Sequence, residues 1–278
     1  MAVRLIALDL DGTALREHRE MTERTREAIL AALDAGILVV PSTGRSYRDI
    51  PGEVRNIPGI PYFLTSNGAR VLEGDPETSA ETLPSSVYTD LIPWERAEQA
   101  LRILEEYDVQ PSVHMCGLSV NLKTADPRVI ARYGNTDYFT RNSADNLAEH
   151  VREKRIGVEK IFAILFRDEA KEEILHRMEA IYPFAVSASG DDNLELNSQT
   201  ADKGRALGEL TRFLGISRED TAVIGDSIND QTMFQFGGHR IAMGNAAVSI
   251  KKMAQHTAPS CEEDGAAYAM ERLIRGEW

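Results

Sequence analysis

Residues Ile6–Leu15 read IALDLDGTAL. A short, bounded apolar run is the pattern of a strand covered on both faces, yet this one runs straight into Asp9 and Asp11, then Gly12 and Thr13. Ligands of a parallel sheet gather beyond the carboxyl ends of its strands. Residues i and i+2 of a strand project to one side, so a strand persisting to Asp11 would aim both carboxylates at one crevice. Such a pair repels itself unless a cation or a shared proton intervenes. Oxygen ligands favour Mg²⁺; alternatively one carboxylate acts as nucleophile while its neighbour moves a proton. A strand that merely ends in a polar turn looks the same, so the pair alone decides nothing.

The flanking sequence supplies the frame. Thr22 caps an expected helix whose apolar Ala28, Ile29, Ala32 and Leu33 recur at helical spacing, and Gly36 ends it. A strand at ILVV from Ile37, a helix near Tyr47–Arg55 and a strand and turn at YFLTSNG (Tyr62–Gly68) continue the alternation. The rhythm resumes from Asp202: a helix to Leu214, the strand TAVIG, a helix from Ile228, the strand HRIAMG and helices to Arg275. Strands alternating with helices predict an α/β fold with a Rossmann-like parallel sheet. Between the two stretches the pattern changes to helices mixed with short strands, an α+β insertion with its own core. The expected organisation is a core domain of residues 1–83 and 198–278, interrupted by a cap of residues 84–197.

Composition bounds the function. The chain has 278 residues, 42 % apolar and 27 % charged, with a formal charge of −13, which argues against a nucleic-acid or anionic membrane surface as partner. No segment approaches the about 18 apolar residues of a membrane span. Cys116 and Cys261 lack metal spacing and read as free thiols of a reducing compartment, so the expected setting is the cytoplasm, as monomer or homodimer.

Three more clusters fall where strands end. Thr43, Gly44 and Arg45 offer a hydroxyl, a backbone amide and a guanidinium, all phosphate donors. GDSIND (Gly225–Asp230) adds two carboxylates and an amide, and Lys203 opens the helix before that strand, where its ammonium can neutralise a phosphoryl oxygen or hold a carboxylate ionised. Each has an ordinary reading as a cap or a solvated side chain. Acid, donor, cation and acid at successive strand ends, in order, have not.

DLDGT (Asp9–Thr13), STGR (Ser42–Arg45), DKGRAL (Asp202–Leu207) and GDSINDQTMF (Gly225–Phe234) resemble the four motifs of the haloacid dehalogenase (HAD) superfamily of phosphatases. SNGA at Asn67, AMGNA at Asn245 and DGAA at Asp264 narrow the resemblance to Cof-like hydrolases with a type IIB cap. The resemblance implies that Asp9 attacks phosphorus to form an aspartyl phosphate, and that Asp11 protonates the leaving oxygen and then deprotonates water. It implies Mg²⁺ held by Asp9, the Asp11 backbone carbonyl and Asp226, with Thr43, Gly44, Lys203 and Asn229 around the phosphoryl group. Asp230 would orient Lys203 or the metal shell, while Arg45, Asn67 and Asn245 would face substrate or brace loops. The sequence departs from the family pattern at Ala14 and Cys261, away from that chemistry.

The insertion is expected to close over the crevice and choose the substrate, using polar-tipped hairpins at Ser112–Lys123 and Ser189–Asn197. His114 beside Cys116 makes a poor zinc site and reads as strand packing. The expected activity is Mg²⁺-dependent hydrolysis of a small phosphate ester, with sugar phosphates foremost. A phosphohexomutase-type phosphotransferase and a non-catalytic Mg²⁺/phosphate-binding regulatory module are the alternatives.

Overall fold

In a computed structural model, the described residues are 3–17, 20–74, 83–133, 142–167, 170–188 and 192–278. They contain strands β1 (Leu5–Asp9), β2 (Leu38–Ser42), β3 (Tyr62–Thr65), β4 (Arg70–Glu73), β5 (Ser86–Thr89), β6 (Val109–Met115) and β7 (Leu118–Leu122). After them come β8 (Ser143–Ala144), β9 (Lys160–Leu165), β10 (Ala185–Ser187), β11 (Asn193–Asn197), β12 (Thr221–Gly225), β13 (His239–Ala242) and β14 (His256–Thr257). The chain divides into two compact units: Met1–Arg45, Ile50–Thr89 and Asp202–Trp278 form the first, Ser46–Asp49 and Asp90–Ala201 the second.

The first unit is an α/β fold on an eight-stranded sheet in the order β14-β13-β12-β1-β2-β3-β4-β5. From β14 through β3 all pairings are parallel. Leu5, Ile6, Ala7 and Leu8 of β1 are fully buried, which explains the unbroken apolar run. The chain leaves β1 toward β2 and later returns to its other side as β12, so β1 lies where the strand order reverses. The ends of three adjacent strands thereby bring together Asp9, the segment after Ser42 and the segment after Gly225.

Two helices show why the sequence folds this way. In Glu23–Asp34 the Thr22 side chain caps the start by accepting from the Thr25 N–H, and Ala28, Ile29 and Ala32 are buried. In Lys203–Leu214 the Asp202 carboxylate accepts from the Arg205 N–H at 2.8 Å, a cap contributing about 1 kcal/mol. Gly215 ends that helix at φ 63°, in left-handed backbone that costs glycine nothing. Lys203 is therefore the first helical residue, one position after the cap.

The sheet extends beyond the expected parallel strands. β4 adds antiparallel to β3 and β5 antiparallel to β4, with an irregularity between Val71 and Leu72, so Ser86–Thr89 pairs in the first sheet although residues 84–197 were expected to form the insertion. Pro51 splits the helix expected near Tyr47–Arg55 into Tyr47–Asp49 and Gly52–Arg55. β1 stops at Asp9, not Asp11; Gly12 at φ 81° turns the chain instead.

The second unit carries a six-stranded sheet in the order β10-β11-β9-β6-β7-β8, antiparallel except for β7 with β8. One face packs Val113, Ile161, Ala163 and Leu196 into an apolar core with Leu101, Leu104 and Val151 of helices Trp94–Leu104 and Leu147–Lys154. Strand alternation places Ser112, His114, Lys160, Glu195 and Asn197 on the opposite face, all buried. β6 and β7 form the hairpin expected over Ser112–Lys123, while Ser189 of the second expected hairpin lies outside the described residues. Among the described residues no helix is long and apolar enough to cross a membrane, and Cys116 and Cys261 are free thiols.

Candidate active site

Asp9, the last residue of β1, is 3 % exposed. Its Oδ1 accepts from Lys203 Nζ at 2.7 Å, and the same ammonium donates to Asp230 Oδ1 at 2.7 Å. Lys203 and Asp230 are fully buried. Asp9 Oδ2 is buried without a hydrogen-bond partner among the described residues, and such an atom is costly unless something else satisfies it. Burial, then the negative charges of Asp230 and Asp226, push the Asp9 carboxyl well above the usual range, against the opposing pull of Lys203. Burial works against the Lys203 charge, but Asp230 and Asp9 outweigh it and raise the ammonium's pKa.

Asp230 is held on both sides. Its Oδ2 accepts from the backbone N–H of Asp226 at 2.9 Å and of Ser227 at 3.1 Å, completing a capping box for the turn Ile228–Asp230. A Cβ on Gly225 would lie 2.5 Å from that oxygen, so only glycine fits there. Asp226 is approached by Thr13 Oγ1 at 3.3 Å and by Asn245 Nδ2 at 3.3 Å, and Asn245 also donates to the Gly12 carbonyl at 2.8 Å.

One carboxylate oxygen each from Asp9, Asp226 and Asp230 lies within 4.8 Å of the others, an arrangement able to hold a cation. Asp9 Oδ2 has no donor among the described residues, and the Thr13 and Asn245 contacts to the two Asp226 oxygens are long, at 3.3 Å each, whereas Asp230 Oδ1 accepts at 2.7 Å and its Oδ2 at 2.9 Å, so Asp9 and Asp226 are the side chains that fit a metal ion best. Asp9, Asp226 and Asp230 bring up to three negative charges against the one ammonium of Lys203, a surplus that a divalent cation with oxygen ligands would balance.

The other sequence candidates fall around this cluster. Asp11 receives Arg45 Nε at 2.9 Å and a terminal guanidinium nitrogen at 2.6 Å, a bidentate pair. Arg45, expected to contact phosphate, thus engages the expected acid/base. Thr43 is buried beyond β2, and its hydroxyl accepts from the Arg45 N–H at 3.2 Å. Asn229 Nδ2 donates to Asn67 Oδ1 at 3.4 Å. Sequence reasoning gave no role to Thr13, to Ser227, which donates to Asn229 Oδ1 at 2.9 Å, or to the Cys261 N–H, which holds Asn245 Oδ1 at 2.8 Å. The first two sit inside quoted motifs; the third is a backbone contact that no side-chain pattern announces. Burial pushes the Cys261 thiol up to about 11, and its Sγ faces the Leu15 carbonyl at 3.3 Å.

A cluster of carboxylates around one lysine, at the reversal point of a parallel sheet, lies where such folds bind ligands and can hold a cation. The family model for haloacid dehalogenase-like hydrolases matches residues 6–270, and the chain belongs to that family. It is a phosphatase of the family. Its relatives include the 5-amino-6-(5-phospho-D-ribitylamino)uracil phosphatase YwtE of Bacillus subtilis, 29 % identical over 99 % of this chain and 100 % of that one. A haloacid dehalogenase-like hydrolase of B. subtilis superposes with TM-score 0.82 at 28 % identity, over 98 % of this chain and 100 % of that one. The fold is also that of a HAD subclass IIB sugar phosphatase, with TM-score 0.79 at 22 % identity over 97 % of this chain and 98 % of that one.

Proposed function

We propose that this phosphatase hydrolyses a small phosphorylated metabolite of the sugar-phosphate or polyol-phosphate class, through an aspartyl phosphate on Asp9 and with Mg²⁺. The observation that carries the reading is Asp9 itself: one oxygen anchored by Lys203 at 2.7 Å, the other buried with no donor among the described residues. The B. subtilis relative, whose name specifies a 5-phospho-D-ribityl group, supports the substrate class.

In the first step an Asp9 carboxylate oxygen attacks phosphorus, the bond to the ester oxygen breaks, and Asp11 gives that oxygen a proton. In the second, Asp11 takes a proton from the water that attacks the aspartyl phosphate, releasing inorganic phosphate and restoring Asp9. Arg45, paired bidentately with Asp11, would orient that carboxyl. Lys203 neutralises a phosphoryl oxygen, and Thr43, the Gly44 N–H and Asn229 donate to the others. Asp9, the Asp11 carbonyl and Asp226 would hold Mg²⁺, which supplies further charge neutralisation when bound. The inserted unit would choose among esters, in a cytoplasmic setting.

Phosphate release from an aryl phosphate and a panel of sugar and polyol phosphates, with and without Mg²⁺, tests this. Wild type should release phosphate only with Mg²⁺, and Asp9→Asn should lose at least about a thousandfold, the scale of a lost nucleophile. Isomer interconversion without net phosphate release would replace hydrolysis by a mutase reaction. Full activity in Asp9→Asn would remove the nucleophile assignment.

A further inference from the structure

Ser66, Asn67 and Gly68, the turn between β3 and β4, take φ values of 49°, 57° and 91° in succession. Left-handed backbone is uncommon for residues other than glycine, and asparagine is among those that tolerate it best. Between them these residues touch the segment after β2, the turn after β12 and the start of the Lys203 helix.

The Asn67 N–H donates to the Thr43 carbonyl at 3.1 Å and the Ser66 N–H to the Arg45 carbonyl at 2.8 Å. The Thr43 carbonyl and the Gly44 N–H belong to one planar trans peptide and point opposite ways. Anchoring the carbonyl therefore aims the Gly44 N–H away from the turn. The Asn67 side chain accepts from Asn229 Nδ2 at 3.4 Å while Ser227 Oγ donates to Asn229 Oδ1 at 2.9 Å, so both ends of the Asn229 carboxamide are fixed. At Gly68 an added Cβ would lie 2.2 Å from the Asp202 carbonyl and 3.0 Å from the Lys203 nitrogen, so the turn abuts the start of the lysine's helix.

We infer that the Ser66–Gly68 turn positions three phosphoryl-binding groups at once, and that Asn67 is the positioning residue for the Asn229 carboxamide. The inference rests on the phosphatase reading for what the groups bind, and it assigns Asn67 an action through Asn229 and Gly44 rather than on the substrate. One turn then keeps donors from three loops in mutual register, which matters because a misplaced donor loses most of its effect on the transition state.

The test compares wild type, Asn67→Gly, Asn229→Ala and the double variant. Asn67→Gly keeps the left-handed backbone and both N–H donors and removes only the carboxamide. Orthovanadate binding with Mg²⁺, measured by calorimetry, is the first readout; kcat and KM on the best ester are the second, and melting temperature is the control. Asn67→Gly should weaken orthovanadate binding and lower kcat about tenfold each, shift KM less than about threefold, and leave the melting temperature within a few degrees. The double variant should be no worse than Asn229→Ala alone, because both substitutions remove one interaction. Additive losses, or wild-type binding by Asn67→Gly, would overturn the assignment. If Asn67→Gly does not fold, Asn67→Ala, which also removes the acceptor oxygen, takes its place in the same cycle with Asn229→Ala. Orthovanadate binding without ester hydrolysis would overturn the phosphatase reading separately, since the coupling is read on binding alone.

Discussion

Lys203 in the first unit and Lys160 in the second are both buried, and both meet carboxylates at hydrogen-bond distance. Lys160 Nζ donates to Glu195 Oε2 at 3.0 Å. Lys203 meets Asp9 and Asp230 at 2.7 Å each, and Asp226 adds its charge to the same cluster. Burial alone therefore does not distinguish a site from a brace. A balanced buried pair can often be exchanged for apolar residues at little cost. A surplus of negative charge around an orphaned oxygen asks for a ligand.

The largest expected effect separates the two lysines directly. Lys203→Met and Lys160→Met should each cost about 3–5 kcal/mol in urea unfolding, because each strands a buried carboxylate. Adding Glu195→Leu to Lys160→Met should restore stability to within about 1 kcal/mol of wild type, since neither charge then remains. Adding Asp230→Leu to Lys203→Met should not, because Asp9 stays buried without its ammonium. Equal recovery in both doubles would erase the distinction.

A smaller effect sharpens it through the metal. Mg²⁺ at about a hundred times its dissociation constant should stabilise wild type by about 2.7 kcal/mol in thermal unfolding. Lys160→Met should keep that increment and Asp226→Asn should lose most of it. Chelation should reverse the gain.

The smallest effect lies on the surface of the second unit. Hydrogen bonds from Arg128 hold the Asp126 carboxyl down to about 2, against an ordinary value of 3.8. A depressed carboxyl stabilises the fold above its unfolded pKa, and the contribution fades as pH falls through the folded one. Arg128→Ala should return Asp126 toward the ordinary range in an NMR titration and slightly reduce the loss of stability between about pH 4 and 2. Unchanged Asp126 titration would contradict the pairing.

The carboxylates of the charge cluster were legible in the sequence because chemistry dictates residue type there, and DLDGT and GDSIND each follow an apolar strand. The α/β rhythm was legible for the same reason, as was β6, whose alternation in VQPSVHM separates a polar from an apolar face. The antiparallel β4 and β5 were not: RVLE and SVYT are only four residues each, β4 is paired to β3 through the SNG turn, and β5 at the sheet edge pairs with β4. Nor was the Arg45–Asp11 pair, since two side chains 34 positions apart meet only through the sheet register that sets Asp9 beside Ser42. Whether the strand would persist to Asp11 was left open by the sequence; it stops at Asp9, and Gly12 turns the chain.

The placement of β1 between β2 and β12 has a consequence for the protein's birth. Asp9 and Lys203 are 194 residues apart. At about 5–20 residues per second of translation, Lys203 is added about 10–40 s after Asp9. During that interval β1 lacks one of its two neighbours, and its apolar edge waits on the ribosome. All six strands of the second sheet have been synthesised by then, so that unit's pairings are available before the charge cluster, which needs Asp230, can be completed.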